Sequence, residues 1–245
     1  MSQLATDYTK RILERKTERD KQRRIGASNI CNPCDRCLAE DILGTPKEDG
    51  KYKMGAVLGT AIHAYLEQRN VDPTAQTEVK VTLGEIPGYG VITSRSDLYI
   101  GNQRMSVDFK TSTRDKIKLY RRVVEQETAS DYDTDAVRQA RTTLESYVYQ
   151  VQLYAWGLVQ MGYKVERVAI VFIARDGKVI DQDVWGFELP YRQDWAVQAF
   201  QRAVNLHHWL QQPDNNVIDL ESHLDCYYCN QIRPFSLPAE RKVTL

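Results

Sequence analysis

The chain has 245 residues, of which 42% are apolar and 27% charged, with 33 basic side chains against 33 acidic ones. That is length and apolar content for one large domain with its own core, and it excludes collagen-like and wholly disordered classes. A net charge of zero advertises no bulk electrostatic grip on nucleic acid. The longest uncharged run, residues 146–163, carries Gln150, Gln152 and Gln160 and is too polar for lipid.

The first residues lack the apolar stretch of a secretory signal, so a soluble, cytoplasmic protein without a membrane partner is expected. Residues 3–24 predict a charged helix. Within it, residues 10–24 hold eight basic residues against three acidic ones, either a local basic face or a solvated helix surface. Residues 25–50 read as irregular, with Cys31, Cys34 and Cys37 and a short helix after Cys37. A helix is expected over 54–69, with Ala56, Leu58, Ile62, Tyr65 and Leu66 as its apolar side.

Strand patterns follow. Residues 77–83 alternate, with Val79, Val81 and Leu83 on one side. A turn-rich break at 84–90 leads into an extended run over 89–100. Gly101-Asn102 signals a tight turn, and residues 104–110 alternate strictly. Residues 112–135 are polar and read as a loop or a frayed helix. A long helix is expected over 133–161, because Tyr147, Val151, Tyr154, Leu158 and Met161 recur at helical spacing. Strands over 164–174 and 178–187, joined at Asp176-Gly177, precede a helix over 191–211 and a tail with Cys226 and Cys229. This order predicts an α/β or α+β fold, a mixed sheet flanked by helices.

Asp108 and Lys110 lie two apart on a strand and so share a face, with Val107 and Phe109 facing the other way, into the core. An even-length loop at Gly101-Asn102 puts Asp97 on the face of Asp108. With two loop residues Asp97 is diagonal to Asp108, with four it is directly opposite, and an odd loop without a bulge separates them. Adjacent carboxylates repel unless a cation neutralises them, and oxygen ligands suit Mg²⁺ or Mn²⁺. Such an ion with a neighbouring lysine supplies what phosphodiester hydrolysis needs. An Asp-Phe-Lys triplet alone is ordinary polar alternation. The flanking residues add weight: His63 on the upstream helix offers a nitrogen ligand, and Gln150 and Tyr154, four apart, share a helix face.

The segments Gly59-Thr-Ala-Ile-His63, Ser94-Arg-Ser-Asp97, Val107-Asp-Phe-Lys110 and Gln150-Val-Gln-Leu-Tyr154, in that order, resemble the RecB-like branch of the PD-(D/E)XK nucleases, including the CRISPR-associated exonucleases and phage-encoded relatives. The resemblance spans about residues 54–160. It implies a restriction-endonuclease-like core and a divalent-metal-dependent DNA exonuclease acting on single-stranded or end-frayed DNA, in a bacterial, archaeal or phage-infected cell. The setting would be recombination, repair, phage DNA metabolism or CRISPR adaptation, with a partner protein from those pathways. His63, Asp97, Asp108 and the backbone carbonyl of Phe109 are the implied metal ligands and Lys110 the catalytic lysine. Gln150 and Tyr154 would steady the site or touch DNA. The chain departs from the family pattern in having Ser94, not glycine, three residues before Asp97. A catalytically inactive DNA-binding or assembly subunit, and an RNA-processing nuclease, are the alternatives.

Cys34-x2-Cys37 and Cys226-x2-Cys229 have metal-binding spacing and would require the two ends of the chain to meet. Cys31 is a spare or a substitute ligand. The resemblance implies a [4Fe–4S] cluster held by one N-terminal and three C-terminal cysteines. This chain has three and two, which leaves Zn²⁺ as the alternative. The expected organisation is one nuclease domain over 1–245, with a core at about 52–212 and metal-stapled segments at about 25–50 and 213–245.

Overall fold

The computed structural model describes residues 3–13, 24–45, 54–69, 72–125, 134–226 and 229. In chain order it contains helices α1 (Gln3–Leu13), α2 (Ala27–Ile30), α3 (Asp35–Leu43) and α4 (Met54–Glu67), then strands β1 (Ala75–Ile86), β2 (Gly90–Ile100) and β3 (Met105–Ser112). Helices α5 (Arg114–Val124) and α6 (Asp135–Gln160) lead to β4 (Arg167–Ala174), α7 (Ile180–Asp183), β5 (Val184–Pro190) and α8 (Gln193–Leu210). The fold is α/β: a mixed sheet in the order β1-β2-β3-β4-β5, flanked by helices.

Strands β1 to β3 form an antiparallel meander, β3 and β4 are parallel, and β5 returns antiparallel. A parallel neighbour needs a long crossover, and α5 and α6 supply it. Parallel strands are buried on both faces, so β4 is a nearly continuous apolar run with Val168, Ala169, Ile170 and Phe172 buried. The core lies where α6 crosses the sheet beneath α8. Val151, Ala155 and Leu158 of α6 pack with Val81, Leu83 and Ile92 of the meander and with Ala196, Ala203 and Leu206 of α8. Gly157 permits the crossing, since a Cβ there would lie 2.7 Å from Val81 Cβ.

Several elements differ from expectation. Strand β1 does not stop at Gly84. It bulges between Thr82 and Gly84 and continues to Ile86, because a Cβ on Gly84 would meet the Phe200 ring at 2.8 Å, whereas glycine lets the strand pass beneath α8. Residues 178–183 are not strand. The Asp183 carboxylate accepts hydrogen bonds from the backbone N–H of Lys178 and of Val179 (2.7 Å) and from Arg114 Nε (2.5 Å), gathering the segment into α7 instead of a tight hairpin at Asp176-Gly177. The first part of the polar stretch after β3 is helix α5, docked through buried Ile117 and Tyr120, and residues 126–133 lie outside the described residues.

Helix α4 has no buried residue, and Leu58 and Tyr65 are exposed, although both were expected on an apolar inner side. It meets the sheet through Gly59 instead, whose added Cβ would lie 3.2 Å from Thr111 Oγ1. Met161, at the end of α6, is also exposed. Of the basic run at 10–24, only Lys10, Arg11 and Arg24 lie among the described residues; the rest of the charged helix expected over 3–24 lies outside them, apart from α1. Among the described residues no helix is long and apolar enough to cross a membrane.

Two arginines tie the terminal segments to the core. Arg202 of α8 donates to the carbonyls of Ile30 (3.0 Å) and Asn32 (2.9 Å) and to Asp35 Oδ1 (2.7 Å). Arg36 of α3, itself buried, donates to the Leu220 carbonyl (Nε, 3.0 Å) and the Ile218 carbonyl (3.0 Å). The N-terminal α2–α3 segment and residues 218–220 are thereby brought side by side.

Candidate active site and cysteine cluster

The hairpin between β2 and β3 sets the site. Ile100 pairs with Met105, so the connection has four residues, a 3₁₀ turn at Gly101–Gln103 followed by Arg104 in the left-handed region. Continued from the Leu98–Val107 pair, this register sets Asp97 opposite Asp108. The strands part at that point, and the N–H of Phe109 donates to Asp97 Oδ2 at 2.8 Å instead of joining the ladder. Both carboxylates are buried, Asp97 being 7% and Asp108 1% exposed. Phe109 is not core: its half-buried ring meets His63 edge-on, with centroids 6.3 Å apart.

His63, one turn beyond Gly59 on α4, places Nδ1 3.6 Å from Asp97 Oδ2. The third member of this group is Glu78 of β1, which sequence reasoning missed. Ligand atoms of His63, Glu78 and Asp97 all lie within 4.8 Å of one another. Between the pairs Thr77–Leu98 and Val79–Ser96, the register sets Glu78 opposite Asp97. Glu78 also has φ +50° inside a strand, a conformation that costs a side-chain-bearing residue on the order of 1 kcal/mol and concentrates at functional sites. The acid lay within the expected strand, but no local signal ties it to Asp97; only the register of β1 on β2 does. Glu67, exposed at the end of α4, is not in the group.

Asp108, expected among the ligands, is not in this group of three; its carboxylate faces Lys110. Lys110 Nζ sits astride its carboxylate, 3.0 Å from Oδ1 in hydrogen-bond geometry and 2.8 Å from Oδ2 but out of line, so Oδ2 lacks a hydrogen-bond partner. The same Nζ donates to Gln150 Oε1 (3.1 Å) and rests 4.7 Å from the centre of the Tyr147 ring. Gln150 Nε2 donates to Tyr154 OH at 2.6 Å, so α6 supplies a relay from Tyr154 through Gln150 to the lysine. Ser94, the departure from the family pattern, shares a hydrogen bond with Tyr154 and accepts one from the Ala27 N–H at 3.4 Å. Its hydroxyl therefore links the site helix to the N-terminal segment.

The electrostatics follow from burial. Asp97 is pushed up to about 8, first by desolvation, then by the Asp108 charge, with the Phe109 N–H and Lys110 opposing. Burial likewise holds the Tyr154 phenol well above its ordinary value, so it remains neutral. Two buried acids and a glutamate face one lysine and one imidazole, an arrangement short of positive charge.

At the far side of the N-terminal segment, Cys34, Cys37, Cys226 and Cys229 form a separate cluster that joins the two ends of the chain. Cys34 caps α3 and Cys37 lies in its first turn. A hydrogen bond with the Cys37 thiol pushes Cys34 down, and the same contact pushes Cys37 up, as expected of crowded thiols sharing protons. Of the two roles expected for Cys31, spare or substitute ligand, its position fits the spare. It is 6% exposed, in the main apolar core at the end of α2, outside the cluster.

No family model matches the chain, and no curated protein matches it. Among solved structures, it is similar to one described as SSO0001, with 18% identity, a TM-score of 0.48, and coverage of 86% of this chain and 89% of that one. It is also similar to an alkaline exonuclease from Laribacter hongkongensis, at 12% identity and TM-score 0.46, covering 77% of this chain and 88% of that one. A phage-related exonuclease from Haemophilus somnus matches at 12% identity and TM-score 0.36, covering 75% and 91%.

Proposed function

We propose that the chain is a divalent-metal-dependent nuclease of the RecB-like PD-(D/E)XK type, a single domain that hydrolyses DNA from single-stranded or frayed ends. The observation that carries the reading is convergence. Five separate segments, α4, β1, β2, β3 and α6, bring His63, Glu78, Asp97, Asp108, Lys110, Gln150 and Tyr154 to one place. The resemblance of the four motifs adds DNA as substrate, and recombination, phage DNA metabolism or CRISPR adaptation as the setting.

The donor set fits a hard divalent cation. It is carboxylate oxygen with one imidazole; burial, and then the Asp108 charge, pushes Asp97 up to about 8, a cost that a bound cation would offset, and Asp108 Oδ2 accepts no hydrogen bond. Bound Mg²⁺ or Mn²⁺ would polarise a phosphoryl oxygen and make a bound water more acidic. His63, Asp97, Asp108 and Glu78 would hold the ion, with the Phe109 carbonyl between Asp108 and Lys110. Lys110, with two of its three N–H groups on Asp108 and Gln150, keeps one for the attacking water or a phosphoryl oxygen, where it would stabilise charge that grows in the transition state. Gln150 and Tyr154 position that lysine and touch no reacting atom.

The test is digestion of end-labelled single-stranded DNA, duplex DNA and RNA with Mg²⁺, Mn²⁺ or EDTA, using wild type and Asp108→Asn. DNA shortened from its ends by wild type, and intact with EDTA or Asp108→Asn, is the expected result. Folded, metal-supplied wild type that binds DNA and never cuts it would move the reading to an assembly subunit. Cleavage of RNA alone would move it to RNA processing.

Glu78→Gln provides a narrower test of the ligand set. The change keeps the size of the side chain and removes its charge. Calorimetric titration should register Mn²⁺ binding weakened about 10–100-fold, the usual cost of a lost supporting group at a metal site. An unchanged affinity would remove Glu78 from the set.

A further inference from the structure

We propose that Cys34, Cys37, Cys226 and Cys229 hold a single tetrahedral Zn²⁺, and not the iron–sulfur cluster that the family resemblance implies. The inference is independent of the nuclease reading, since it concerns the join between the chain ends.

The sulfur positions carry it. Cys34 Sγ is 3.7 Å from Cys229 Sγ, and Cys37 Sγ is 3.6 Å from Cys229 Sγ and 3.4 Å from Cys226 Sγ. All four ligand atoms lie within 4.8 Å of one another. A tetrahedron with Zn–S bonds of about 2.3 Å has edges of about 3.8 Å, so one zinc ion fits among these sulfurs with little movement. In a [4Fe–4S] cluster each thiolate binds a different iron, and four irons and four sulfides stand between the ligand sulfurs. Sulfurs at mutual contact distance leave no interior for that cluster, and opening one would require α3 and the C-terminal segment to separate. Arg36 opposes this by tying α3 to the carbonyls of Ile218 and Leu220.

The backbone around the sulfurs agrees. Within each Cys-x2-Cys pair, the N–H of the second cysteine turns back to the first sulfur: Cys37 N–H to Cys34 Sγ, and Cys229 N–H to Cys226 Sγ at 3.5 Å. The His223 N–H also reaches Cys34 Sγ. Two such turns facing each other bind one ion with two sulfurs apiece. The N–H groups and the N-terminus of α3 offset the negative charge left on four thiolates around a dication.

The full-length protein would be purified without oxygen from cells supplied with both iron and zinc, and assayed for zinc, iron and acid-labile sulfide. The expected result is one zinc per chain, negligible iron and sulfide, and a colourless protein with no absorption band near ~400 nm. Exchange of zinc for Co²⁺ should give the visible spectrum of a tetrahedral tetrathiolate site. Zinc should be lost from the Cys226→Ser/Cys229→Ser variant and retained by Cys31→Ala. If the double variant fails to fold, the Co²⁺ spectrum of wild type decides alone. Stoichiometric iron, with or without sulfide, would overturn the proposal, as would a metal-free protein or a Co²⁺ spectrum of any other geometry.

Discussion

Lys110→Ala is expected to lower kcat for DNA cleavage by about 10²–10³-fold, the cost of removing one donor aimed at developing charge, with Mn²⁺ affinity unchanged or slightly raised. The two effects separate because Lys110 is the counter-charge of Asp108, with Nζ 2.8 Å from Oδ2. Without the ammonium, Asp108 has only a metal ion to neutralise it, so binding does not suffer while the transition state loses its donor. Lys110→Arg should not restore the rate. A planar guanidinium cannot sit over the Tyr147 ring while meeting Asp108 and Gln150 as the compact ammonium does. Single-turnover cleavage at saturating Mn²⁺, with Mn²⁺ titrations alongside, makes the measurement. A wild-type rate in Lys110→Ala would remove the lysine from the chemistry. Gln150→Leu should give a smaller loss in the same assay, because it disturbs only the position of Nζ.

What the sequence made legible divides by range. Periodicities are local, and they placed the helices now seen at Met54–Glu67, Asp135–Gln160 and Gln193–Leu210 and the hairpin that carries Asp97 and Asp108. The loop length that makes the two acids face each other was one of two even options, and the four-residue turn selects it. Features set by distant packing were not legible. Gly84 looks like a break until Phe200 is seen to cross over it. Lys178 and Val179 look like strand until Asp183 captures their N–H groups. Glu78 has no motif of its own and acquires meaning only from its place opposite Asp97. Cys31 has metal spacing with Cys34, yet α2 turns its side chain into the apolar core, where spacing alone could not place it.

Asp97 is expected to couple metal binding to pH, and its replacement to abolish that coupling. In the unfolded chain this carboxyl loses its proton near its ordinary value of about 4, whereas in the fold it is pushed up to about 8. Between those values the folded state holds a proton that the unfolded state has released. The metal-free protein therefore loses stability as pH rises across that interval and levels off above it. A divalent ion reverses the balance, because it binds the carboxylate and must displace the proton. Affinity for Mn²⁺ should rise about tenfold per pH unit up to about 8 and then flatten, if one proton is exchanged. Asp97→Asn removes both trends. Without metal its Tm at pH 8 should exceed that of wild type by several degrees, since no buried charge remains there to repel Asp108, and Mn²⁺ should no longer raise it. Thermal melts with and without Mn²⁺ across this pH range measure both effects. A Mn²⁺-induced shift that is flat with pH, or that persists in Asp97→Asn, would place the ion away from Asp97 and dissolve the site as drawn.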